Sequence, residues 1–179
     1  TAGGLESMAM TKLQSGDVAE AADLFDAAAR AHIAVGATRD ASRVLASLCM
    51  VRKILGDIPG ALQAGSAAVH YLPPDAPNQE RGMAFMNWAG VLDRAGDRTA
   101  WDAWSEASRC FAQTPLMMLG CAARDAGAAR RHGAANAFDS LRWVVDQLGS
   151  APTGAVLAGM LGAFGESAGM EGTPLLAQA

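Results

Sequence analysis

The sequence predicts an all-α protein built as a stack of helical hairpins. Three observations point there. The dipeptide Gly-Asp returns at Gly16-Asp17, Gly56-Asp57 and Gly96-Asp97, forty residues apart each time, and a period of that size marks a repeat architecture. Apolar residues recur at three- and four-residue steps, as in Val44, Leu45, Leu48, Val51 and Leu55, or Phe85, Trp88, Val91 and Leu92, which is the helical period. Hydrophobic residues make up 51% of the 179 residues and aromatics only 6%. Much of the apolar share is alanine, a strong helix former, and β-branched or aromatic runs are few.

The elements follow from their punctuation. A first helix is expected over 5–15 and its partner over 18–35. Between them Gly16 can take the left-handed conformation that ends a helix, and Asp17 can cap the next one. Glu20 stands three residues after Asp17, which is a capping-box spacing. Gly36 closes the second helix, and Thr38 is placed to cap a third over 39–55. Gly56-Asp57 then turns the chain into a fourth helix over 58–72. Pro73, Pro74 and Pro77 stop it and form a loop between units. A fifth helix is expected over 79–95 and a sixth over 98–112, joined by Gly96-Asp97. Thr114-Pro115 opens a seventh, with threonine as cap and proline in the first turn. An eighth is expected over 134–148. The Gly-Ser-Ala-Pro run at 149–152 breaks it, 153–164 reads as a helix capping the open end of the stack, and 165–179 as a Gly-rich tail. The organisation is thus four hairpins over 1–150 and a cap with tail over 151–179. Trp101, Trp104, Phe111, Phe138, Leu141 and Trp143 supply bulk to the later units, and aromatics at helical spacing belong to a core.

Composition excludes some function classes. The net charge is −4 and the sequence pI about 5.3, without the basic face that nucleic-acid binding requires. No apolar run reaches bilayer length, the longest candidate being 155–164. Cys49, Cys110 and Cys121 form an odd set without metal-ligand spacing. That fits a reducing, cytoplasmic compartment better than a disulfide framework, with Cys49 a small apolar core residue. The first residue is not Met, so the chain is compatible with a piece of a longer protein.

The residues around the Gly-Asp pairs resemble the tetratricopeptide repeat. That family places such a pair between helices A and B, with alanine five residues after the glycine, an aromatic nine after and a second alanine twelve after. The first unit matches with Ala21, Phe25 and Ala28. The second has Ala61 and Ala68, but Gly65 in the aromatic's place, and Pro73 at the family's closing proline. The third matches with a shift of one residue, as Ala100, Trp104 and Ala107. The fourth, after Gly133, is degenerate, with Ala137, Leu141 and Val144 at the shifted positions. The forty-residue spacing exceeds the family's usual ~34 residues and looks like its long-helix variants. The resemblance covers about 5–148. It implies a right-handed α-solenoid whose A helices line a concave groove for a peptide or a partner helix.

On that architecture the groove side of the A helices would show Arg43, Ser47, Met50 and Lys53, then Met83, Met86, Asn87 and Gly90. Met10 in the first unit and Ala123, Arg124 and Gly127 in the fourth would join them. Methionine is flexible and polarizable and suits adaptable apolar recognition. Arg43, Lys53 and Arg124 can meet carboxylates, and Asn87 can bond an extended backbone. The competing reading makes these methionines loose core fillers. Some members of the family clamp a C-terminal carboxylate with a lysine and an asparagine on the first A helix; Glu6 and Met10 stand at those places, so that clamp is absent.

Motifs of catalysis are weak. Gly165-Glu166-Ser167-Ala168-Gly169 resembles the serine-esterase elbow, but no histidine lies beyond His132 and no strand precedes the serine. His32, His70 and His132 fall near helix ends without ligand spacing, and Glu20, Asp23 and Asp26 read as a solvated acidic strip. The sequence therefore points to a non-catalytic interaction scaffold without cofactor or metal. Its partner is expected to be another protein or peptide, with neither nucleic acid nor membrane insertion, and self-association is left open. Two alternatives stand beside it: the sensor portion of a larger bacterial-type regulator or ATPase, and an accessory to an enzyme.

Overall fold

The computed structural model describes residues 1–135 and Asp139. Among them are seven helices and no strand: α1 (Ala2–Ser15), α2 (Val18–Ala34), α3 (Thr38–Leu55), α4 (Ile58–His70), α5 (Asn78–Arg94), α6 (Ala100–Cys110) and α7 (Pro115–Arg131). Each helix packs on the next in chain order, and α3 packs directly on α5 as well. Among the described residues no helix is long and apolar enough to cross a membrane. The expected eighth helix, the capping helix, the tail and the aromatics Phe138, Leu141 and Trp143 lie outside the described residues.

Glycine supplies the stops. Gly16, Gly36, Gly56, Gly96 and Gly133 all have positive φ, between 71° and 88°. After each of them the next backbone N–H reaches five residues back, as from Asp57 to the Arg52 carbonyl at 3.0 Å and from Asp97 to the Leu92 carbonyl at 2.9 Å. The glycine's own N–H bonds the carbonyl three residues before it. These are the two bonds of a Schellman turn, and they absorb carbonyls that a helix end leaves unpaired.

The aspartates do less uniform work than expected. Asp57 caps α4, accepting from the Gly60 N–H at 3.0 Å. Asp17 caps nothing; it accepts from the Ser15 hydroxyl at 3.0 Å, while Glu20 pairs with Lys12 at 2.7 Å. No capping box forms there, because Lys12 from the preceding helix draws the Glu20 carboxylate away. Asp97 accepts from both the N–H and the hydroxyl of Thr99. That local turn delays α6, so it starts at Ala100 rather than near 98. Thr38 lies inside α3, whose cap position is Ala37. Thr114 does precede α7, with Pro115 in the first turn, but its side chain makes no capping bond.

The interior is made of small residues, which lets helices approach closely. Ala21, Phe25, Ala28, Ala61, Ala68, Ala100, Trp104 and Ala107 are all buried. At Gly65 a Cβ would stand 2.7 Å from Trp88 Cδ1 and 3.0 Å from Cys49 Sγ. The bulk missing from α4 is therefore supplied by the α5 indole. Val44, Leu45, Leu48, Val51 and Cys49 belong to one core cluster with residues of α1, α2 and α4. A second cluster gathers α5, α6 and α7 around Trp104 and Phe111, and Leu62 touches both. Leu55, expected to pack inward, is 44% exposed, because it is the last residue before the Gly56 turn.

Polar ties between alternate helices keep a nearly constant sequence separation. Arg39 bonds Glu80 and Asn87 bonds the Ala46 carbonyl, each across 41 residues. Arg43 bonds Glu6 across 37 residues, and Arg131 bonds the Asp93 carbonyl across 38. The ties between α3 and α5 advance together along both helices, so those two run in the same direction.

Candidate functional site

A half-open cleft of about 360 Å³ lies between α3 and α5. Its α3 wall comprises Arg39, Ser42, Arg43, Ala46 and Ser47, and its α5 wall Gln79, Glu80, Met83, Ala84 and Asn87. The size suits a few side chains of a ligand rather than a large molecule. The floor is apolar, from Ala46 and Ala84; the rim is polar. Ser42 is not available to a ligand, because its buried hydroxyl donates to the Ala68 carbonyl at 2.7 Å. Asn87 donates from Nδ2 to the Ala46 carbonyl at 3.2 Å, and its carbonyl oxygen and second N–H have no other partner among the described residues.

Of the residues singled out from sequence, Arg43, Ser47, Met83 and Asn87 line this cleft. Met83 is 38% exposed and stands at its edge. Met50 and Met86 are half-buried and pack on the first and second core clusters respectively. The methionine lining is thus reduced to Met83, and the other two act mainly as fillers between helices. Met10 is exposed on α1. Ala123 and Gly127 are buried rather than groove-facing, because α7 packs its small-residue faces inward.

Lys53, Gly90 and Arg124 form a second group. A Cβ at Gly90 would stand 3.2 Å from Lys53 Nζ and 3.8 Å from Trp104 Cη2 and Cζ2. The Arg124 guanidinium lies over the Trp104 ring, 5.5 Å from its centroid, at cation–π range.

The rim arginines already have partners. Arg39 grips Glu80 with two bonds, Nε to Oε2 at 2.8 Å and Nη2 to Oε1 at 2.6 Å. Arg43 donates to Glu6 at 2.7 Å and to Asp40 at 3.2 Å. Glu6 also accepts from His32 Nε2 at 2.7 Å, so one carboxylate joins α1, α2 and α3. Burial alone would push the Glu6 carboxyl up, but the Arg43 and His32 hydrogen bonds outweigh it and hold it below its ordinary value. The Arg39 bond likewise lowers Glu80. The Arg43–Glu6 and Arg39–Glu80 ties join residues 37 and 41 apart in sequence, so only the repeat period itself could have signalled them.

The other candidates show structural roles. Burial pushes the Cys49 thiol up to about 11 and the Cys121 thiol to about 12, and raises Cys110. His70 sits edge-on to Tyr71, and His132 edge-on to Trp101. Asp26 of the acidic strip pairs with Arg30 at 2.9 Å. No group of His, Cys, Asp and Glu among the described residues could hold a metal ion. The Gly165–Gly169 motif lies outside the described residues.

No family model matches the chain, and neither a curated protein nor a solved structure matches it.

Proposed function

We propose that this chain is a protein-interaction module of the tetratricopeptide-repeat kind, binding an extended peptide segment in the cleft between α3 and α5. The observation that carries this reading is the cleft itself. It is open, apolar at its floor, and bordered by uncommitted hydrogen-bonding groups of Asn87 beside the flexible Met83 side chain. An extended backbone needs hydrogen-bond partners along its length, and its side chains need shallow apolar seats; the cleft offers both. Support for the repeat reading comes from the Schellman glycines, the helix packing in chain order, and the ties at 37 to 41 residues between alternate helices. The same features favour non-catalytic work, since the buried thiols are held protonated and the titratable rim groups are locked in ion pairs.

The test is selection of a random-peptide phage library on the full chain, followed by fluorescence polarisation with the enriched peptides. Binding that drops at least tenfold in Met83→Glu, with helicity unchanged, supports the cleft. Failure to enrich any peptide, or equal affinity in Met83→Glu, contradicts it.

A further inference from the structure

The groove residues beyond the cleft meet at a place where α5 lacks a side chain. Gly90 lies one helical turn past Asn87, on the same side of α5. The space a Cβ would take there is bounded by the Lys53 ammonium from α3 and the Trp104 ring from α6. Trp104 is only 4% exposed, yet its indole N–H has no acceptor among the described residues. The Arg124 guanidinium from α7 rests on the same ring. Residues of four helices thus meet around Gly90 and the Trp104 ring.

Lys53 differs from the arginines of the cleft in one respect. Arg39 and Arg43 are neutralised by Glu80, Glu6 and Asp40. Lys53 is half-buried, and its ammonium makes no ion pair or hydrogen bond with any described residue. An ammonium without a counter-ion is open to pairing with an incoming carboxylate.

We propose that the Gly90 notch is a specificity subsite in which Lys53 pairs with an aspartate or glutamate side chain of the bound peptide. This rests on the peptide-binding reading of the cleft. Spacing gives the register. Lys53 is six residues along α3 from Ser47, or about 9 Å at 1.5 Å per residue. An extended chain covers that distance in about three residues. The acidic residue therefore stands about three positions from the one seated beside Met83 and Asn87. Glycine at position 90 is what admits it, since any larger residue would press on the ammonium and the indole.

The experiment uses the full chain and peptides enriched from the random library. Enriched sequences are expected to share an Asp or Glu about three residues from an apolar anchor. Changing that acid to its amide, or Lys53→Gln in the protein, should weaken binding about three- to tenfold, the range for a partly screened charged hydrogen bond. Lys53→Glu should reject the acidic peptide and accept one carrying Lys at that position. Gly90→Leu should weaken the acidic peptide more than its amide form. Enriched peptides without an acidic position, or unchanged affinity in Lys53→Gln, overturn the subsite; sensitivity to Met83→Glu would in that case still uphold the cleft. A selection that enriches nothing overturns both.

Discussion

Substituting Gly65 with alanine probes the packing of α4 against its neighbours, and the expected sign runs against helix propensity. Gly65 lies inside α4 (Ile58–His70). Replacing a helix-interior glycine with alanine gains about 1 kcal/mol where there is room. Here the new methyl would meet Trp88 Cδ1 at 2.7 Å, Cys49 Sγ at 3.0 Å and the Trp88 Cα at 3.2 Å. Two of these belong to α5 and one to α3, and a backbone atom is among them. The methyl cannot enter by one rotamer change, so α4 must move away. Overpacking of that kind costs about 1–3 kcal/mol, and with two neighbouring helices and a backbone atom in the way the upper half of the range applies. The net effect is a loss of about 1–2 kcal/mol. Gly120 in α7 is the control, because a Cβ there meets nothing within 4 Å. Gly120→Ala should gain up to about 1 kcal/mol. Thermal unfolding followed by circular dichroism at 222 nm should separate the two variants by about 2–12 °C, at about 2–4 °C per kcal/mol for a chain of this size. Trp88→Leu should relieve most of the Gly65→Ala penalty in the double variant. Equal melting temperatures for Gly65→Ala and Gly120→Ala would refute the packing of Trp88 into Gly65.

Other outcomes follow from the turns and the ion pairs. Gly56→Val should cost about 1–3 kcal/mol, since Gly56 sits at φ 79° and a β-branched residue is strained there; an unchanged urea midpoint would count against the left-handed turn. Glu6 has its carboxyl lowered in the folded chain, so its contribution to stability is present above its ordinary value of 4.5 and is lost as pH falls through the lowered one. Glu6→Gln should remove that part of the acid dependence, read from melting temperature between neutral pH and pH 3; an identical acid profile in both proteins would contradict the Glu6–Arg43–His32 junction. Arg39→Ala should leave helicity intact and widen the cleft mouth, because its bonds to Glu80 are partly exposed and screened by solvent; a collapse of the fold would contradict that placement.

The parts of the fold legible in sequence are those set by local chemistry. Gly16, Gly56 and Gly96 announce left-handed turns because only glycine takes that conformation without cost, and all three have it. The small and bulky positions of α2, such as Ala21, Phe25 and Ala28, are buried as their spacing required. The capping roles were less legible, since Asp17 and Asp97 each had a nearer partner than the helix they precede. Site residues fared according to the distance over which they are decided. Helical spacing places Arg43 with Ser47 on one face of α3 and Met83 with Asn87 on one face of α5, and all four line the cleft. Whether Arg43 is available to a ligand depends on Glu6, 37 residues away. Whether Met50 and Met86 face the cleft depends on the tilt between helices, which a period cannot convey. Gly65 looked like a departure from the repeat pattern; it is the seat of Trp88, which only the neighbouring helix reveals.

The claim that peptide binds between α3 and α5 is tested most directly by NMR of the chain labelled at its methionine methyl groups. Met83 stands at the cleft, while Met8 and Met10 are exposed on α1 and do not line it. Titration with a library-selected peptide should shift the Met83 resonance strongly, move Met50 and Met86 less, and leave Met8 and Met10 in place. A peptide that shifts Met8 and Met10 while leaving Met83 unmoved would contradict the account.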